Sequence, residues 1–308
     1  MAETALVTGG AGFIGSHIVD ALLADGYRVA VIDNLSTGRR ENVNPEAAFY
    51  EVDIRDVEGV CRVFEAERPA LVSHQAAQAD VRASLDDPAG YAATNILGTL
   101  NVLQAAKAMG TRKFVFASTG GAIYGNPDEL PATERCPARP LDPYGTSKLA
   151  CEYYLYTYKH NFGLEYCVLR YANVYGPRQN GDGEAGVVAI FAKGMLEDRP
   201  LTIWGDGLQS RDFVYVGDVA AANLAAARYG SGIYNIGTGL PSDIQAIARG
   251  LARVTGYTKN INRGPARPGE VRHSYLDARK ARREMGWEPQ VTLADGLART
   301  VTWFREGK

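Results

Sequence analysis

Cysteine and histidine are scarce. The 308 residues hold four of each, and they are scattered. Cys61, Cys136, Cys151 and Cys167 form no Cys-x-x-Cys pair, and none clusters with His17, His74, His160 or His273. Three of the cysteines (Cys61, Cys151 and Cys167) fall in segments that read as helix or strand, where a free thiol behaves as a small hydrophobe. This speaks against both a disulfide framework and a metal site. Charge of one sign is also lacking. The net charge is −2 and there is no basic block, which speaks against nucleic acid or an anionic membrane surface as partner. No apolar run reaches the length of a membrane span, and the N-terminus lacks the basic segment of a signal peptide. The expectation is a cytoplasmic protein with no membrane partner. Internal repeats and low-complexity linkers are absent as well.

What the chain does have is apolar content, 46% of its residues, enough for two lobes or one large α/β unit. Its first 33 residues are the most informative. Leu6 and Val7 end a short apolar run, and Gly9, Gly10, Gly12 and Gly15 follow. Then Ile14, Ile18, Val19, Leu22 and Leu23 recur at helical spacing until Gly26, and a second apolar run, Val29 to Ile32, ends in Asp33. This reads as strand, glycine turn, helix, strand, acid. Glycines let the backbone approach a pyrophosphate, and a new helix points free N–H groups at that anion. Asp33 follows Gly15 by 18 positions, close to where an acid would take the adenosine ribose.

Alternation continues downstream. Strands are expected at 49–54, 70–74, 114–117 and 166–169, with helices at 57–67, 91–109 and 143–162 between them. That rhythm predicts a doubly wound, Rossmann-type parallel sheet covered on both faces. Past Arg170 it breaks. A glycine-rich loop at 180–186, short strands at 201–204, 213–215 and 233–236, and helices at 278–285 and 293–304 suggest a smaller mixed α/β lobe. The expected partition is a nucleotide-binding domain of 1–170 with 208–236, and a second lobe of 171–207 with 237–308. Ligands of such sheets lie beyond the carboxyl ends of the strands. The segments to read are therefore Gly9–Gly15, Asp33–Gly38, Asp53–Ile54, Gln75–Gln78, Ser118–Gly121 and Tyr171–Asn173.

Tyr144 and Lys148 are four apart at a helix start, so they share a face. A phenol titrates near pKa ~10, and a nearby ammonium favours its ionised form. Such a tyrosine can serve as a general base. Four further tyrosines of this helix, at 153, 154, 156 and 158, are assigned to packing or a subunit interface.

The turn Thr8-Gly-Gly-Ala-Gly-Phe-Ile-Gly15, the pair Tyr144 and Lys148, and Ser118-Thr119 after a core strand resemble the extended short-chain dehydrogenase/reductase superfamily. Within it the chain is most similar to the UDP-glucose 4-epimerase family, nearly end to end. The likeness includes Asp33-Asn-Leu-Ser-Thr-Gly38, Pro143-Tyr-Gly-Thr-Ser-Lys148, Leu169-Arg-Tyr-Ala-Asn-Val-Tyr-Gly-Pro177, Ser210-Arg-Asp-Phe-Val-Tyr215 and Arg267-Pro-Gly-Glu270. The resemblance implies an isomerase that interconverts UDP-galactose and UDP-glucose through a 4-keto sugar and bound NAD. Tyr144 is the base, Lys148 lowers its pKa and holds the nicotinamide ribose, and Thr119 supplies the hydroxyl. Counting back from Tyr124 instead puts Gly120 at that last position.

By the same resemblance Gly9, Gly12, Phe13 and Ile14 hold the pyrophosphate. Asp33, Asn34, Ser36, Thr37 and Gly38 surround the ribose, and Asp53 and Ile54 the adenine. Gln75, Ala76, Ala77, Asn95, Ser118 (through its backbone) and Tyr171 line the rest of the cofactor site. Arg211 and Arg267 hold the substrate diphosphate, and Glu270 the uridine ribose. Asn173 contacts the phosphate or sugar side, Val188 belongs to the substrate site, and Thr202 and Trp204 border the uracil. Small Ser274 leaves room for an N-acetyl group, so UDP-GlcNAc and UDP-GalNAc are expected substrates. In isolation Arg211 reads as a surface partner of Asp212, and Trp204 as core. Gly120-Gly121 stands where dehydratases carry an acid and a base, which disfavours elimination. UDP-glucuronate epimerases and decarboxylases, nucleotide-sugar reductases and a non-catalytic NAD-binding regulator share the core and stay open. A homodimer through helices 91–109 and 143–162 is implied.

Overall fold

The computed structural model describes residues 2–182, 186–267 and 271–307. Its strands are β1 Thr4–Thr8, β2 Arg28–Asp33, β3 Ala48–Glu51, β4 Leu71–His74, β5 Lys113–Thr119, β6 Glu165–Tyr171, β7 Asn173–Tyr175, β8 Thr202–Trp204, β9 Ser210–Tyr215, β10 Gly232–Ile236, β11 Pro241–Asp243, β12 Asn262–Gly264 and β13 His273–Ser274. Its helices are α1 Phe13–Ala24, α2 Val57–Glu67, α3 Val81–Asp86, α4 Pro88–Tyr91, α5 Gly98–Ala108, α6 Pro143–Phe162, α7 Val187–Leu196, α8 Val216–Tyr229, α9 Ile244–Thr255, α10 Arg279–Met285 and α11 Leu293–Arg305.

Seven strands form one sheet in the order β10-β6-β5-β4-β1-β2-β3, every neighbouring pair parallel. Alternate residues of β1 feed opposite faces. Ala5 and Val7 join a core with Ile18, Val19 and Ala222, while Leu6 joins one with Phe64, Leu103 and Leu155. Strand order reverses between β1 and β4, so the turns after these two strands face one crevice. The expected sheet is therefore found. Strand β3 stops at Glu51, which leaves Asp53 and Ile54 in the turn beyond it.

The long helix expected at 91–109 begins earlier, at Pro88, behind an Asp87 side-chain cap. A π-helical stretch, Ala92–Leu97, joins α4 to α5. Such widened turns re-aim side chains, and Asn95 lies within this one. Helix α6 follows the sequence expectation residue for residue. Asp142 caps its start, Pro143 fits its first turn, and Gly163 ends it at φ 72°.

The smaller lobe holds the β11-β9-β13 sheet with β7 added to β9, and the β8–β12 ribbon. Tyr175, Val188, Phe191, Ile247, Leu251 and Val301 fill its core. Strand β9 pairs only within this lobe, so the chain's return to the large sheet starts at α8, at Val216, rather than near 208. Helix α8 packs on α1, and β10 then closes the sheet edge beside β6.

Candidate active site

The glycine turn has the shape its sequence suggests. Gly9 sits at φ 71°, and a Cβ there would lie 2.7 Å from the Ala76 amide nitrogen. One on Gly15 would lie 2.1 Å from the Gly9 carbonyl oxygen. Helix α1 thus starts in close contact with the β4 loop. Gly12 caps it without a side-chain bond, so its first amides face the crevice. Asp33, buried at the end of β2, accepts from the Ala11 amide at 3.0 Å and the Leu35 amide at 2.9 Å. Its carboxylate sits where a 2′-phosphate would be repelled. These features fit a dinucleotide with a free ribose, which is NAD. Asn34, Ser36 and Thr37 are exposed around that end. The Asn34 amide donates to Asp53 at 2.8 Å, and Arg55 forks onto the same carboxylate, holding it well below its usual range.

Thr119 ends β5. Its Oγ1 accepts from the Ala122 amide at 3.2 Å, and its hydroxyl faces the Tyr144 phenol closely enough to favour the ionised form. Gly120 offers no room for a larger residue, because a Cβ there would meet Leu276 Cδ1 at 2.3 Å. A Cβ on Gly121 would lie 3.8 Å from Asn173 Oδ1 and 3.9 Å from Thr119 Oγ1. Thr119, Asn173 and Tyr144 thus border one space. Lys148 lies one helical turn beyond Tyr144, 3% exposed, with its Nζ 4.8 Å from the centre of the Phe116 ring. Burial lowers its pKa to about 8. Burial also pushes the Tyr144 phenol up to about 12, and the Thr119 hydroxyl works against that rise. In this geometry burial outweighs the depression expected from Lys148. The positive nicotinamide ring of NAD is the further cation that the site would add.

Several residues expected around the cofactor also bond to protein through their side chains. The Ser118 hydroxyl donates to Glu152 at 2.6 Å, while Arg170 pairs with that carboxylate through two bonds of 2.9 and 2.5 Å. Tyr171 donates to Gln75 Oε1 and accepts from Asn223, and Gln75 also donates to Ser73. Asn95 exchanges two bonds with the Gln78 backbone, shaping the loop that holds Ala76 and Ala77. These bonds brace the wall of the crevice.

On the substrate side, Arg211 stands beside Ser274 in the β9–β13 register. Asp212 is no surface partner for it. That carboxylate is 1% exposed and accepts from the Thr238 amide and hydroxyl and from the Gly239 and Leu276 amides. Nothing in an Arg-Asp pair announces this. Trp204 is not core either. It is 39% exposed, with the Arg267 guanidinium 4.9 Å from its ring centre. Thr202 lies on the same strand, paired with Asn262. Arg267 shares a cavity of about 400 Å³ with Arg82, Leu85 and Asp86. These come from α3, a helix that the sequence reading left out. Val188 is 1% exposed within the small-lobe core, so only its backbone remains for a ligand. Glu270 lies outside the described residues, as does part of the glycine-rich loop at 180–186. No candidate metal cluster occurs, and no helix is long and apolar enough to cross a membrane, among the described residues.

The chain is 42% identical to a UDP-glucose 4-epimerase of Mycolicibacterium smegmatis, over 97% of this chain and 98% of that one. The crystal structure of a Thermotoga maritima UDP-glucose 4-epimerase with UDP-glucose superposes with a TM-score of 0.97 at 49% identity, covering 99% of each chain. A Thermus thermophilus UDP-glucose 4-epimerase in complex with NAD gives 0.94 at 49% identity, covering 98% of this chain and 99% of that one. The model of the NAD dependent epimerase/dehydratase family matches residues 5–237, and this chain belongs to that family.

Proposed function

We infer that this chain is an NAD-dependent UDP-hexose 4-epimerase interconverting UDP-galactose and UDP-glucose. The observation that carries the reading is the convergence of the Thr119 hydroxyl, Tyr144 and buried Lys148 on one space beside the glycine turn. Tyr144 takes the proton of the sugar 4-hydroxyl, and Thr119 holds that hydroxyl and steadies the phenolate. Lys148 supplies the positive charge that favours the phenolate. NAD supplies a hydride acceptor at C4 and returns the hydride to the other face of the 4-keto sugar. Tyr144 then gives the proton back, and no net oxidation occurs. Gly120 and Gly121 supply neither the acid nor the base that elimination of water would need.

The diphosphate falls to Arg211 and Arg267, as a cationic pair suits it, with Trp204 at the uracil. Ser274 beside Arg211 leaves space for a 2-acetamido group, which supports turnover of UDP-GlcNAc and UDP-GalNAc. Leu97, in the stretch before α5, and Tyr153, Tyr156 and Phe162 on α6 expose apolar surface, which supports a homodimer through this side of the molecule. The experiment is to incubate purified protein with UDP-galactose and no added cofactor and to follow UDP-glucose by NMR. Conversion establishes epimerisation and a retained NAD together. No conversion, with NAD supplied and UDP-GalNAc tried, would overturn the reading.

A further inference from the structure

His74 ends β4 with no exposed surface, and both ring nitrogens are bonded. Nε2 lies 2.9 Å from Thr99 Oγ1, and Nδ1 lies 2.7 Å from Thr8 Oγ1. The partners decide where the single ring proton sits. Thr99 spends its own hydrogen on the Asn95 carbonyl at 2.5 Å, so toward His74 it can only accept. Nε2 therefore carries the proton. Thr8 Oγ1 accepts from the Ala76 amide at 3.3 Å, which leaves its hydrogen for Nδ1. Every donor and acceptor is used once with a neutral ring.

The chain of bonds continues beyond Thr99. The Asn95 side chain donates to Ser147 Oγ at 2.9 Å, and Ser147 donates to the Tyr144 carbonyl at 2.7 Å. Asn95, bonded to Thr99 through its carbonyl and to Ser147 through its side chain, thus joins two runs of hydrogen bonds that link Thr8, which opens the glycine turn, to the backbone of Tyr144. The imidazole also stacks on Phe116 (ring centres 5.8 Å apart, 19° between planes), and the Lys148 ammonium lies 4.8 Å from that same ring centre.

We propose that His74 is a positioning residue for the Tyr144–Lys148 pair, a neutral imidazole of fixed tautomer that sets the first turn of α6 against the glycine turn. The proposal rests on the roles assigned to Tyr144 and Lys148 above. The groups around the pair come from every neighbouring element: Thr119 on β5, Asp142 before α6, Tyr91 on α4, and Cys151 and Glu152 on α6. A second positive charge on His74 would join burial in driving the proton from Lys148. Burial, with Lys148 adding to it, holds the His74 pKa down at about 3, so the ring stays neutral throughout the working range.

Two substitutions separate positioning from mere support. His74→Phe keeps the ring and its stacking but deletes both bonds. His74→Gln restores one donor and one acceptor. Tyr144 is titrated in the NAD-loaded protein by phenolate absorbance, as the difference between each variant and its Y144F counterpart. This readout needs no turnover. Misplacing the first turn of α6 weakens the Thr119 bond to the phenolate, so the Tyr144 titration should move up by about one pH unit in H74F. Turnover of UDP-galactose at neutral pH should fall about tenfold with KM within about twofold. H74Q should recover most of both. An unchanged Tyr144 titration in H74F, whatever its Tm, overturns the proposal, and so does an H74Q as impaired as H74F. If H74F does not fold, Thr99→Val removes the acceptor for Nε2–H and must produce the same shift. A wild-type protein that fails to epimerise while the titration shift appears would sink the activity reading and leave the positioning role standing.

Discussion

Replacing Thr119 by valine tests the site most directly. The two side chains have nearly the same shape, so packing at the end of β5 is kept. What goes is the hydroxyl that faces Tyr144 and takes the Ala122 amide at 3.2 Å. A hydrogen bond to an ionised group is worth roughly 1.5–3 kcal/mol, and each 1.36 kcal/mol is a factor of ten in rate. If the bond matters only once the phenol is ionised, kcat falls about 10- to 150-fold. The phenol, already pushed up to about 12, should rise further, because Thr119 is the largest influence lowering it. The orphaned Ala122 amide costs about 1–3 kcal/mol of folding stability, which denaturant titration reads separately. Initial rates of UDP-glucose formation across pH, with bound NAD quantified in the same samples, give the catalytic part. Thr119→Ser keeps the hydroxyl and should stay within about threefold of the parent. A valine variant with parental kcat and parental pH dependence would refute the reasoning and leave the site without a hydroxyl partner.

Ser274→Tyr should depress turnover of UDP-GlcNAc while sparing UDP-glucose, and equal loss on both would remove Ser274 as the selectivity gate. Arg170→Met strands the Glu152 carboxylate with Ser118 alone and should cost about 3–5 kcal/mol in urea unfolding, partly regained in the R170M/E152Q double variant; a loss under about 1 kcal/mol would mean that water reaches the carboxylate. Lys148 titrates near 8 when folded against an ordinary 10.5. The unfolded chain therefore binds the extra proton between these values, and stability rises with pH from about 8 to 10.5. Below pH 8 the folded protein bears the whole cost of burying the charge, about 3 kcal/mol. Lys148→Met, in protein freed of NAD, should be inactive yet harder to unfold at pH 7, with the gain vanishing by about pH 10.5. A methionine variant less stable at both ends would contradict this account.

The large sheet was legible because its signals are local. The glycine turn, Asp33, and α6 between Asp142 and Gly163 each announce themselves within a few residues. The smaller lobe was less so. Strands of two or three residues such as β7, β12 and β13 carry no periodicity, and pairing with β9 or β8 alone makes them strands. Helix α3 is six residues long, too short to show an apolar face, and its Asp80 cap is its main signal. The return to the large sheet was placed too early because the Phe213-Val-Tyr215 end of β9 reads as a short sheet strand. Only its partners reveal which lobe it serves.

Side-chain direction was the other hidden quantity. Ser118, Asn95 and Tyr171 stand at strand ends or on the crevice-facing helix, where a motif places cofactor contacts. Yet each spends its polar atoms on protein: Glu152, Gln78 with Ser147, and Gln75 with Asn223. The reason is positional. A crevice that must hold a dinucleotide and a reacting sugar to within a fraction of an ångström needs its backbone fixed before either arrives. The residues nearest the ligand are the ones whose backbones most need bracing. A spacing motif therefore marks braces and contacts alike, and only hydrogen-bond bookkeeping separates them. The same bookkeeping favours Thr119 over Gly120 in the one-residue ambiguity after β5. Gly120 is wedged under Leu276 and its amide donates to the Tyr171 carbonyl at 2.7 Å, while Thr119 has a hydroxyl directed at Tyr144.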